Sequence, residues 1–225
     1  MNGAKWLLYA LLWIADPMPI AFGGNSIHQQ ATNHTFTSTR IDDTLFKRIY
    51  GKSYKENCTV PKEDLRYLRI SHYNFNGEIR LGELICHKDI SKDLLEIFQT
   101  LFQAKYPIEK MVLIDDYEAD DEKSMQDNNT SCFNFRFVAG TSKLSGHSEG
   151  YAVDINPRYN PYIKQKGERI ICKPQNSIKY TNRASDFPYK ITREDLCYKE
   201  FKKRGFEWGG DWKSLKDYQH FEKKR

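Results

Sequence analysis

The segment Ser145-Gly146-His147-Ser148-Glu149-Gly150-Tyr151-Ala152-Val153-Asp154-Ile155-Asn156-Pro157 supplies two metal-ligating side chains, His147 and Asp154, and no third. Catalytic zinc is usually held by three protein ligands and keeps one position open for water or substrate. The missing ligand must come from another part of the chain. His220 can supply it, from Gly209-Gly210-Asp211-Trp212-Lys213-Ser214-Leu215-Lys216-Asp217-Tyr218-Gln219-His220-Phe221-Glu222, with Asp217 three residues before it. A chain whose ligands are divided in this way must fold so that two distant segments meet. Ala152, Asp154 and Asn156 share a parity, so Asp154 is expected on a strand, facing the metal. A carboxylate beside two imidazoles favours zinc over calcium or magnesium, which take oxygen shells.

The pair Ser-x-His-x-x-Gly-x-Ala-x-Asp and Asp-x-x-His-Phe-Glu resembles the zinc peptidases that cut peptidoglycan peptides, the D-alanyl-D-alanine carboxypeptidase and L-alanyl-D-glutamate endopeptidase family. The likeness also takes in Tyr73-Asn74-Phe75-x-Gly77, Gly82-Glu83-Leu84-Ile85, Asn128-Asn129-Thr130-Ser131, Phe133-Asn134-x-Arg136, Asn156-Pro157-x-x-Asn160-Pro161 and Trp208-Gly209-Gly210-Asp211-Trp212. These motifs carry it over roughly residues 45 to 223. The resemblance implies a hedgehog-like α+β fold, with a central, mostly antiparallel sheet, helices on one side and a zinc cleft on the other. It implies one zinc ion on His147, Asp154 and His220, with Asp217 as general base and later acid. It also implies Arg136 at the oxyanion or a substrate carboxylate, and Ser145 and Trp208 at the substrate. Glu222 is expected to support a ligand histidine rather than to act on substrate. Within the family, Asp-x-x-His in place of Glu-x-x-His resembles the endopeptidase branch. A D-alanyl-D-alanine carboxypeptidase is the alternative, and a non-catalytic, zinc-stabilised wall-binding module is the reading from another class.

With 225 residues, 39% hydrophobic and 14% aromatic, the chain has the means to bury a core. The formal charge of +5 is spread along the sequence. It suits an anionic partner such as cell-wall polymer, and the short clusters Lys202-Lys203-Arg204 and Lys223-Lys224-Arg225 give no case for nucleic acid. Residues 1–24 read as a secretory signal, because Lys5 precedes an apolar run from Trp6 to Ala15 that is too short to span a bilayer. Residues 25–40 read as a polar tether and 41–225 as the peptidase domain. An exported, monomeric protein of a bacterial periplasm or envelope, with no stable membrane span, is the expectation. Five cysteines leave at least one unpaired, and no disulfide is predicted. Cys132 is expected as a small buried residue.

Ile41 to Tyr50 is expected to be helical, and Pro61 to open another helix with Leu65 and Leu68 on its face. Leu68 to His72 and Ile79 to Cys86 read as a hairpin around Asn74–Gly77. The strongest helix begins at Asp89 or Ser91 and turns Leu94, Leu95, Phe98, Leu101, Phe102 and Tyr106 to the core. A strand is expected at Met111 to Ile114, a solvated loop at Asp115 to Glu122, and a half-buried strand through Phe133, Phe135 and Phe137. The proline-rich stretch 157–191 is expected to be an irregular wall of the substrate groove, with Tyr159, Tyr162, Tyr180 and Tyr189 available to the substrate. A helix capped by Thr192 is expected to run to Arg204.

Overall fold

The computed structural model describes residues 34–138 and 141–224. The expected signal segment 1–24, and residues 25–33 of the expected tether, lie outside them. The rest of that tether is structured: Phe36–Arg40 form β1, which pairs antiparallel with β2 (Leu65–Tyr73), itself paired over nine residues with β3 (Ile79–His87). The β2–β3 hairpin lies where the alternation of apolar residues placed it, with Asn74 Oδ1 accepting from the amides of Asn76 and Glu78 to shape the turn.

Alternation also decides which face each residue takes. Leu68, Ile70, Leu84 and Cys86 turn to one side, where α2 (Lys88–Gln103) lays Ile90, Leu94, Ile97, Phe98 and Leu101 against them. Each fully buried side chain of this size contributes about 1.5–3 kcal/mol relative to exposure. Leu65 and Ile85 turn to the other side and join Ile49 of α1 (Asp43–Ile49), Leu113, Phe133 and Phe135. The second helix expected after Pro61 is only a 3-10 turn, Lys62–Asp64, because Leu65 and Leu68 are drawn into the long β2–β3 ladder.

The architecture is α+β, with four α-helices and three three-stranded, antiparallel sheets among the described residues. The strands fall into β1-β2-β3, into β4 (Ala152–Asp154) with β9 (His220–Glu222) and β7 (Glu207–Trp208) in that order, and into β6 (Arg169–Lys173) with β5 (Tyr162–Lys166) and β8 (Lys216–Asp217) in that order, rather than into one broad sheet. The stretch expected to be irregular after Pro157 contains a hairpin, β5 (Tyr162–Lys166) and β6 (Arg169–Lys173), and its edge accepts β8.

Other expectations fail because the hydrogen-bond partners lie elsewhere than a regular ladder would place them. Met111 to Leu113 form no strand: Asn129 bonds Val112 through both its Oδ1 (2.8 Å from the amide) and its Nδ2 (3.0 Å from the carbonyl). Phe133 and Phe135 donate their amides to Ile85 and Ser53, on separate segments, so no strand forms there; both rings are buried, while Phe137 is 50% exposed. The acidic run is no solvated loop. Asp115 is buried, accepting from the Ser53 amide and hydroxyl, and Asp121 opens α3 (Asp121–Gln126). The last helix is α4 (Leu196–Lys203), capped by Asp195 rather than Thr192. All five cysteines are free thiols. Among the described residues no helix is long and apolar enough to cross a membrane.

Candidate metal centre

Antiparallel pairing brings the distant ligands together. In the β4–β9 ladder Asp154 stands opposite His220, and residues directly opposite in a sheet share a face. His147 reaches the same point from a 3-10 turn, Gly146–Glu149, whose first amides are capped by Ser145: its Oγ accepts from the His147 amide. The result is a buried cluster. His147 Nε2 lies 3.2 Å from His220 Nδ1 and 3.2 Å from Asp154 Oδ2, and His220 Nδ1 lies 3.1 Å from Asp154 Oδ1. Ligand atoms at about 2.0–2.1 Å from a tetrahedral zinc stand about 3.3 Å apart, close to each of these contacts, and Asp154 turns one carboxylate oxygen to each imidazole.

The far side of each imidazole fixes which nitrogen faces the cluster. His147 Nδ1 is 2.6 Å from the Cys132 carbonyl, which accepts its proton and leaves Nε2 as the ligand atom. His220 is turned the other way. Its Nε2 lies 3.3 Å from Glu222 Oε2, which leaves Nδ1 to face Asp154 and His147. Glu222 in turn needs Gly146, because a Cβ there would lie 2.7 Å from Glu222 Oε1.

The electrostatics suit a cation. Burial acts to raise the Asp154 pKa, but His147 and His220 outweigh it and hold the carboxyl far below its usual range. Burial lowers His220, yet hydrogen bonds to Asp154 and Glu222 more than offset it and lift its pKa to about 10. Carboxylates that hold a proton so firmly at this point would equally favour a divalent ion.

Asp217 sits beside the cluster on β8, opposite Tyr162 of β5. Its Oδ1 is buried and has no hydrogen-bond partner among the described residues. Burial, reinforced by the charge of Asp154, raises its pKa to about 6, while His220 and His147 pull the other way. Gly209 allows this approach, since a Cβ at that position would come within 2.5 Å of the Asp217 carbonyl oxygen.

Arg136 pairs through Nε with Asp121. Trp208, expected at the substrate, is 4% exposed, packs on Phe221 and Tyr198, and donates from Nε1 to the Tyr218 carbonyl. It braces the β7–β9 strand pair from the core. Cys132 is buried as expected, and its contribution to the site is its backbone carbonyl. Of the four tyrosines expected at the groove, Tyr159, Tyr180 and Tyr189 pack on one another or on Phe75.

Several polar residues quoted above only as motif letters are the scaffold. Asn128, Asn129, Asn156 and Asn160 are fully buried. Asn156 bonds the Glu109 amide and the Pro107 carbonyl, Asn128 accepts from the Arg158 amide, and Asn160 joins Asn156, Tyr189 and Ile191. Arg183 reinforces this scaffold by donating to the Tyr159 and Ile191 carbonyls and standing 4.1 Å over the Tyr218 ring. Burial lowers its pKa to about 10.

No solved structure matches the chain. A family model described as D-alanyl-D-alanine carboxypeptidase matches residues 139–223. That stretch holds His147, Asp154, Asp217 and His220, and it forms the second part of the region over which the motifs carry the resemblance. The comparison bears that resemblance out: over residues 139–223 this chain is similar to the D-alanyl-D-alanine carboxypeptidase family.

Proposed function

We propose that this protein is an exported zinc metallopeptidase that hydrolyses peptidoglycan stem peptides as an L-alanyl-D-glutamate endopeptidase. The observation that carries the reading is the buried His147–Asp154–His220 cluster, with contacts of 3.1–3.2 Å between its side chains and a partner-free Asp217 oxygen nearby. A zinc ion held there would act as a Lewis acid on the scissile carbonyl and ease deprotonation of water. Asp217, with a pKa raised to about 6, is ionised at neutral pH and basic enough to take a proton from the attacking water. Once protonated it returns that proton to the leaving amine. Asp121 fixes one edge of Arg136, and the other edge is assigned to the developing oxyanion or to a substrate carboxylate. Ser145 shapes the His147 turn, and any contact with substrate is a second task for it.

The choice of endopeptidase rests on Asp217 in place of glutamate. A D-alanyl-D-alanine carboxypeptidase is the second reading, favoured by the description of the matched family. Mass spectrometry of muropeptides incubated with the zinc-loaded protein, against a chelated control, separates them. A released peptide beginning at D-glutamate supports the endopeptidase, and loss of a terminal D-alanine replaces it with the carboxypeptidase. Intact muropeptides with zinc bound would leave a binding module.

A further inference from the structure

The hairpin that anchors Asp217 carries a second feature. In its registers Tyr162 stands opposite both Asp217 and Lys173, and Lys166 stands opposite Arg169. Opposite residues share a face, as do alternate residues along a strand. Asp217, Tyr162, Lys164, Lys166, Arg169 and Lys173 therefore share one face of the β6-β5-β8 sheet. Tyr162 feels the neighbour directly, since burial and the Asp217 charge raise its pKa.

The four cations are exposed, and none forms an ion pair among the described residues. Tyr162 and Ile171 are half-buried on this same face, and on the opposite face Cys172 is half-buried, near enough to Glu122 of α3 that burial and this charge lift its pKa to about 11. Alternate strand residues are about 6.7 Å apart, so Lys164 and Lys166 stand about 7 and 13 Å along the strand from the register position of Asp217. An extended peptide advances about 3.3–3.6 Å per residue. The cations thus match carboxylates two to four residues from a bond cleaved beside Asp217.

We propose that this face is a carboxylate-binding track, which holds the acidic part of the stem peptide as it runs away from the scissile bond. The assignment rests on the peptidase reading and adds a substrate requirement: free carboxylates rather than amides. Exposed charges confer specificity and salt dependence more than raw affinity.

The test compares a fluorescent stem pentapeptide bearing free carboxylates with its amidated counterpart, using the full zinc-loaded chain. Anisotropy gives binding to the zinc-loaded Asp217→Ala variant, in which turnover is slow, and cleavage is followed separately with the zinc-loaded wild type. The free acid should bind more tightly than the amide, with an advantage that shrinks as salt rises. Lys164→Gln/Lys166→Gln should weaken free-acid binding about 3- to 10-fold and leave the amide unchanged. Circular dichroism checks that the fold is retained. Equal binding of both peptides, or equal loss for both in the double variant, overturns the track. Preference for the acid without cleavage keeps the track and removes the peptidase, whereas cleavage without preference keeps the peptidase and removes the track.

Discussion

The β1-β2-β3 sheet and the two small sheets at the candidate metal centre are stabilised by different means. In the first, nine-residue strands bury aliphatic side chains under a sixteen-residue helix. In the second region the strands run from two to five residues, and fully buried asparagines, a capped turn and an arginine over a tyrosine ring do much of the positioning. Apolar burial has no direction, whereas hydrogen bonds do. A metal site needs ligand atoms fixed to within about half an ångström, which the polar region is built to supply.

This contrast predicts that activity and stability can be altered separately. The largest effect is expected at Asp217→Ala, which should retain fold and metal while turnover falls by about two to four orders of magnitude. In the wild type, activity should fall away as pH drops below about 6, because the raised Asp217 pKa sets where the base form is lost and a bound cation moves that point lower. An unchanged pH–rate profile in the variant would remove Asp217 from the mechanism.

Leu94→Ala probes the other region. It should cost about 2–5 kcal/mol in denaturant unfolding, yet leave zinc affinity of the folded protein unaltered. If metal affinity falls in step with stability, the two regions are not separable. Glu222→Gln sharpens the boundary between them. Loss of the carboxylate that accepts from His220 Nε2 should weaken zinc binding by about 10- to 100-fold, read by competition with a chromogenic chelator, with little change in unfolding.

The smallest effect is expected at Glu83→Gln. Burial alone would raise the Glu83 pKa, but hydrogen bonds from Arg48 and Tyr67 outweigh it and hold it below the usual range. A lowered pKa means that this stabilisation is present above the ordinary glutamate range and is lost as pH falls through the folded-state value. With both partners partly exposed it is worth about 1 kcal/mol. Unfolding at pH 7 and pH 3 should show the wild type losing that increment and the variant showing no such loss.

The same contrast explains what could be read from the chain in advance. Leu94, Phe98 and Leu101, and the alternation through Leu68 and Ile70, reveal their elements because apolar burial repeats with the period of the backbone. His147, Asp154 and His220 were apparent from motif and ligand chemistry, although neither predicts that Asp154 and His220 are direct cross-strand partners. Polar positioning has no period. Nothing local says that Asn129 substitutes for a strand beside Val112 or that Trp208 faces inward. The β5–β6 hairpin was hidden for a related reason: its apolar residues fall on both faces, Ile171 among the cations and Ile163, Ile170 and Cys172 opposite them, so it lacks the alternation that marks a half-buried strand.

The most direct test is zinc stoichiometry with X-ray absorption at the zinc edge, on the wild type and on His147→Ala and His220→Ala. One zinc per chain, bound by two imidazoles and a carboxylate at about 2.0–2.1 Å and lost in both variants, is the predicted result. Zinc retained in full by either variant, or absent from the folded wild type supplied with it, would contradict the metal centre on which the proposed chemistry depends.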